Sequence, residues 1–180
     1  MTFPNPLAGT GVGDPLSGGA GSGITSGTGT VYKTRCTREG ELLKTEIFID
    51  LTGLHSMNTD GDIIGVDGGA ANCHLGQITA AQCGTIIAGT VTCHELPAGG
   101  DPNIDLYSAV EATGAEDAAI TGLTETALLN AATDWAAGDT RFLTAWPAAG
   151  EYLYLTQGDA IGTDADYTAG RLLITLWGTR

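Results

Sequence analysis

Four cysteines (Cys36, Cys73, Cys83, Cys93) and three histidines (His55, His74, His94) are the side chains of this 180-residue chain best suited to metal or nucleophilic chemistry. Four of them form two adjacent Cys-His pairs, at 73–74 and 93–94. Neighbours on a strand point to opposite faces, so neither pair can readily share one metal ion, and the spacings match no zinc pattern. In the strand through Val91 and Cys93, His94 falls with Thr90 and Thr92 on the other face. Asn58, Asp60 and Asp62 place acceptors two apart, as at the start of a calcium loop. Ile63 stands where the sharp-turn glycine belongs and no Glu follows at the twelfth position, so an ordinary acidic turn is expected. The five serines include no Gly-x-Ser-x-Gly signature, and Ser17, Ser22 and Ser26 fall in a Gly-rich stretch that cannot preorganise a nucleophile. Glu95 beside His94 and Asp50 near His55 are isolated acid-base candidates. Tyr152 and Tyr154 form the candidate platform for a sugar, while Trp177 reads as core or interface. The expectation is a protein that is not an enzyme, with no cofactor and no metal.

Charge narrows the partners. The formal net charge is −14, yet Lys33, Arg35, Arg38 and Lys44 hold four of the seven basic residues within one short span. From residue 45 to 140 there are fourteen acidic residues and no Lys or Arg. Such a surface repels phosphate, which excludes direct nucleic-acid binding and attachment to anionic lipid. The opening MTFPNPLAG lacks the basic start and apolar run of a secretory leader, so the cysteines are expected as free, buried thiols. Residues 68–94 carry no formal charge over 27 positions, but Asn72, Gln77, Gln82 and several Gly and Thr interrupt them. This segment is therefore buried or set against a partner, and is no membrane span.

The elements that must position these groups read as strands. Leu43, Thr45, Ile47, Ile49 and Leu51 alternate with Lys44, Glu46, Phe48 and Asp50, the period-two pattern of a strand with one apolar face. Strands are expected over 30–37, joined to it by a turn at Glu39-Gly40, and over 62–66, 74–78, 84–96 and 103–109. Further strands are expected over 141–146, 152–156 and 171–177. Gly89 in mid-strand predicts a bulge or a close approach of backbone. Residues 124–137 fit a helix or a strand followed by a loop, and the β-rich surroundings favour the second. Both faces of 171–177 are apolar, which predicts burial on both sides. Regular spacing, Gly- and Pro-rich turns and no βαβ alternation predict an all-β chain, an antiparallel β-sandwich of jelly-roll type over residues 31–180.

Residues 1–30 differ. They hold nine Gly, three Pro and one charge, Asp14. Without periodicity they cannot build a core of their own, and they are expected to form an extended interaction arm. Phe3, Leu7, Val12, Leu16 and Ile24 are its sparse anchors.

The Gly-rich start followed by EIFIDLTGL, GDIIG, HLGQIT, GTIIAGTVTCHELPAGGDPNIDLYSA, EYLYLTQG and YTAGRLLITLWG resembles small virion proteins of tailed bacteriophages, over most of residues 31–178. Within that group the chain looks like a head decoration, or cement, protein. The resemblance implies a β-sandwich, often a homotrimer, on the outer surface of the capsid. It also implies the major capsid protein as partner, with the arm gripping neighbouring subunits and Lys33, Arg35 and Arg38 facing the shell. The alternative is a tail or receptor-binding component that recognises host glycan.

Overall fold

The alternation along residues 43–51 becomes strand β2 (Leu42–Asp50) in the computed structural model, which describes residues 19–159 and 161–180. Leu43, Thr45, Ile47 and Ile49 are buried along one side, and Lys44, Glu46 and Phe48 are half-buried along the other. A two-residue turn, Gly40-Glu41, joins β2 to β1 (Val31–Glu39), with Glu39 opposite Leu42. The opposite edge of β2 pairs with the last strand, β10 (Ala169–Thr179), which pairs in turn with the 14-residue β4 (Thr85–Ala98). The short β7 (Thr140–Phe142) closes this five-stranded antiparallel sheet in the order β1-β2-β10-β4-β7. The C-terminal strand is thus central, and Leu172, Ile174 and Leu176 are fully buried beneath it. On its other face Leu173 and Trp177 are only half-buried, which corrects the expectation of burial on both sides.

A second antiparallel sheet has the order β6-β5-β8, from Glu125–Leu129, Ile104–Ala109 and Tyr152–Gln157. Its Ile104, Leu106, Leu153 and Leu155 share one core with the inner face of the first sheet, completing an all-β antiparallel sandwich. A two-residue pair, β3 (His55–Ser56) with β9 (Ala165–Asp166), adds a small third sheet. The uncharged segment lies along the free edge of β8. Leu75 N–H donates to Leu153 O at 2.7 Å and Ile78 N–H to Glu151 O at 2.8 Å. Cys73, Leu75 and Ile78 are buried there, so the edge is satisfied by irregular chain.

One of the expected strands is shorter than its apolar run. The strand expected over 141–146 leaves the sheet after Phe142. Leu143 N–H still donates to Gly89 O at 2.9 Å, but Thr144 N–H turns to Leu128 O of β6 at 2.8 Å, so the segment passes from one sheet to the other. Gly89 is what permits this, because a Cβ there would lie 2.4 Å from Leu143 Cδ1. The close approach is that of a side chain as well as a backbone. Residues 124–137 are strand followed by loop. Arg141 holds that loop by donating to the carbonyls of Ala131, Thr133 and Asp134, while its guanidinium sits 4.1 Å from the centre of the buried Trp135 ring.

Residues 19–30, expected as the end of the arm, pack against the sandwich. Gly21 N–H donates to His74 O and Val66 N–H to Gly23 O, each at 2.8 Å, around the short helix α1 (Ser22–Thr25). Ile24 is fully buried in the common core.

Candidate functional site

The outer face of the five-stranded sheet gathers most of the basic cluster and an apolar strip. Register places Lys33, Phe48, Leu173 and Thr92 in one row across β1, β2, β10 and β4. Arg35, Glu46, Thr175, Thr90 and Phe142 form the next row, and Thr37, Lys44, Trp177 and Ala88 a third. Alternation that buries Ile47, Ile49, Ile174 and Leu176 necessarily turns Phe48, Leu173 and Trp177 outward. Phe142 is 76% exposed and Leu42 38% exposed, so large apolar groups remain in contact with solvent. A shallow groove of about 330 Å³ runs between Lys33, Arg35, Phe48 and Leu173. A second, of about 270 Å³, runs between Thr37, Arg38, Leu42, Lys44 and Trp177.

The basic side chains do not stand alone. Arg35 Nε donates to Glu46 Oε2 at 2.8 Å and Lys44 Nζ to Glu46 Oε1 at 2.6 Å. Burial alone would raise the Glu46 carboxyl, but the hydrogen bonds and charges of Lys44 and Arg35 together hold it below the usual carboxylate range. Arg38 lies 3.5 Å from Glu41 and caps the hairpin by donating to Gly40 O at 2.7 Å. Lys33 makes no ion pair among the described residues. At the far side of the face, Arg171 bridges Asp50 at 2.9 Å and Glu95 at 3.2 Å. The face is therefore a lattice of compensated charges with apolar ground between them.

The other candidates separate. Phe3, Leu7, Val12 and Leu16 lie outside the described residues. Ile24 belongs to the chain's own core and is not available as an anchor on a partner. Lys33 and Arg35 share the outer face of β1, but Arg38, paired with Leu43, alternates to the other face at the hairpin end, so the expected basic cluster is split. Tyr154 is fully buried, donating its hydroxyl to Glu111 O at 2.7 Å, and Tyr152 stacks on His74 with centroids 4.8 Å apart, so the pair offers no open sugar platform. Asp50 binds Thr52 and Arg171, not His55, and Glu95 binds Arg171. His94 is exposed while Cys93 is buried, as the alternation requires. All four cysteines are free thiols; Cys73, Cys83 and Cys93 are buried as expected, whereas Cys36 is exposed, which corrects the expectation for that residue, since its strand β1 is an edge of the sheet. Burial pushes the Cys73 thiol up to about 12, which makes it unreactive at neutral pH. Asp60 and Asp62 join no metal-capable group among the described residues; the group that does form is His55, Asp67 and Glu116. Spacing gave no sign of it, because its members are 12 and 49 residues apart in sequence. No helix among the described residues is long and apolar enough to cross a membrane.

Comparison with protein-family models, with curated proteins and with solved structures finds no match to this chain.

Proposed function

We propose that this protein is a structural component of a tailed-phage virion, a decoration protein that docks on the outer surface of the head and stabilises the expanded shell. The observation that carries the reading is the outer face of the β1-β2-β10 sheet, where Phe48, Leu173 and Trp177 lie among Lys33, Arg35 and Lys44, with Arg38 bordering the groove at the hairpin. Four strands (β1, β2, β10 and β4) about 4.8 Å apart, over a nine-residue span, give a face of roughly 570 Å², to which the three-residue β7 adds a corner with the exposed Phe142. That is most of the roughly 800 Å² that one partner contributes to a stable protein interface. Basic groups concentrated there, in a chain of net charge −14, suit an acidic partner surface and orient the encounter. The likeness of the sequence to small phage virion proteins supplies the partner, the major capsid protein, and a homotrimeric arrangement around a threefold axis of the shell. A protein that binds only the expanded shell stabilises it by mass action.

Gradient co-sedimentation of the full chain with expanded, undecorated heads tests the reading. Saturable co-migration is expected, weakened at least tenfold in the triple variant Lys33→Ala, Arg35→Ala, Arg38→Ala. Co-migration unaffected by that variant removes the sheet face from the contact. No co-migration overturns the decoration role and turns the search to the tail.

A further inference from the structure

One loop-rich end of the sandwich holds a compact group of metal-capable side chains. His55 in β3, Asp67 in the loop after the 62–66 segment, and Glu116 in the loop before the short 3-10 turn Ile120–Gly122 each bring one donor atom within 4.8 Å of the others. His55 is 8% exposed and Glu116 is 4% exposed, while Asp67 opens to solvent. Two further carboxylates flank the imidazole. Asp166 Oδ1 lies 2.9 Å from Nδ1 and Asp164 Oδ1 lies 3.0 Å from Nε2. Four chain segments far apart in sequence converge here, and local packing holds them. His55 N–H donates to Gly65 O at 2.7 Å, and Gly69 N–H donates to Glu116 Oε2 at 2.8 Å. Gly65 must lack a side chain, since a Cβ there would lie 3.0 Å from Glu116 Cβ and 2.2 Å from the Cys73 sulfur.

Acidic clusters are common on an acidic protein, and the cluster alone would carry nothing. A second observation singles this one out. Glu116 Oε1 is buried and has no hydrogen-bond partner, although its sister oxygen is held by Gly69. A buried carboxylate oxygen without a donor is costly, and a cation is one group that satisfies it. The carboxylate so fixed is the one that converges with the His55 ring and with Asp67.

We infer that His55, Asp67 and Glu116 form a binding site for a divalent transition-metal ion, with zinc as the best-suited occupant. An imidazole with carboxylates favours zinc or a neighbouring transition metal over calcium, which prefers oxygen alone. One ring nitrogen turns to the ion and the other keeps its carboxylate, the arrangement that orients most metal-bound histidines. The displaced carboxylate, exposed and mobile about its own side-chain bonds, supplies a fourth donor. Donors around tetrahedral zinc sit roughly 3.4 Å apart, so binding draws the three, now within 4.8 Å of one another, closer by at most about 1.4 Å. The ion would staple β3, β9 and two loops at one end of the sandwich.

Titration of metal-stripped full-length protein with Zn²⁺, followed by calorimetry and by the His55 imidazole resonances, tests this site. One equivalent is expected to bind at micromolar or lower Kd, to shift the His55 resonances and leave those of His94 in place, and to raise Tm by several degrees. Glu116→Gln is expected to weaken binding at least 100-fold and Asp166→Asn about 10-fold or more. Asp67→Asn, at an exposed position, keeps the test open where a buried variant fails to fold, and is expected to weaken binding at least tenfold. No binding, or binding unchanged in both Glu116→Gln and Asp67→Asn, overturns the proposal. So does a shift confined to His94.

Discussion

Glu46 and Glu116 are the same residue in two regions of one small protein, and their carboxyl groups move in opposite directions. Both lose water on folding, which raises each of them. On the outer sheet face Glu46 gains Lys44 and Arg35, and the net result is a lowered value. At the loop end Glu116 gains one backbone amide and the His55 ring against the charges of Asp117 and Asp67, and the net result is a raised one. The contrast extends to the neighbours. Asp50 on the sheet meets Arg171 and is lowered in spite of its burial, whereas burial raises Asp101 and Asp105 near β3 and at the start of β5. A chain with so few basic residues has placed most of them on one sheet face and left the carboxylates elsewhere to be desolvated without cations. Where charges are compensated a surface can be covered by a partner at low cost; where they are not, a cation is the natural addition.

The sharpest way to break this comparison concerns the sheet itself. Ile174 and Leu173 are consecutive, one beneath the sheet and one above it. Ile174→Ala is expected to cost about 3–5 kcal/mol in denaturant unfolding, the range for a filled core site. Leu173→Ala should cost about 1 kcal/mol or less, since its side chain is only partly withdrawn from water. Equal losses would mean that the outer face is covered in the free protein and is no docking surface. The next largest effect is on binding. Phe48→Ala with Trp177→Ala should weaken head binding at least tenfold, about 1.4 kcal/mol, and leave thermal stability nearly unchanged.

Asp105 sharpens the other side of the comparison. Burial is the largest cause of its raised value, with Asp60 and Asp159 adding repulsion. A carboxyl raised on folding takes up protons more readily in the folded chain, so its penalty is absent below the unfolded value of 3.8 and grows as pH rises through the folded one. Asp105→Asn is therefore expected to stabilise the protein on the order of 1 kcal/mol at pH 8 and to have no effect at pH 3. A variant that destabilises equally at both pH values would show that Asp105 acts through its hydrogen bond to Ala131 alone.

The smallest effect belongs to the sheet-face ion pair. Asp50 is lowered although burial opposes it, because the hydrogen bonds from Thr52 and Arg171 and the Arg171 charge together outweigh the loss of water. Its stabilisation is complete above 3.8 and is lost as pH falls through the lower folded value. Arg171→Ala should lower stability slightly at neutral pH and change nothing once Asp50 is protonated. Urea titrations at the two pH values distinguish this from a packing loss, which would persist in acid.

Much of the architecture was legible because it is written at short range. The burial of Leu43, Thr45, Ile47 and Ile49 follows from alternation within one strand, and so does the outward turn of Phe48 and of Lys33 with Arg35. The opposed faces of Cys93 and His94 needed no knowledge of distant chain. Other readings failed where tertiary contacts override local composition. Ile24 looked like an anchor for a partner because glycines surround it, yet those glycines let the backbone approach Asn72 and His74 and carry the side chain into the core. Leu173 and Trp177 looked buried because they are apolar, but which face of β10 meets the second sheet is decided by the layers and not by the strand. The sequence by itself therefore determined the strands, their turns and the composition of each face. Only the tertiary structure decided that β10 lies at the centre of its sheet and that His55, Asp67 and Glu116 meet, because such encounters depend on how loops close across the sandwich, and no local period encodes that closure.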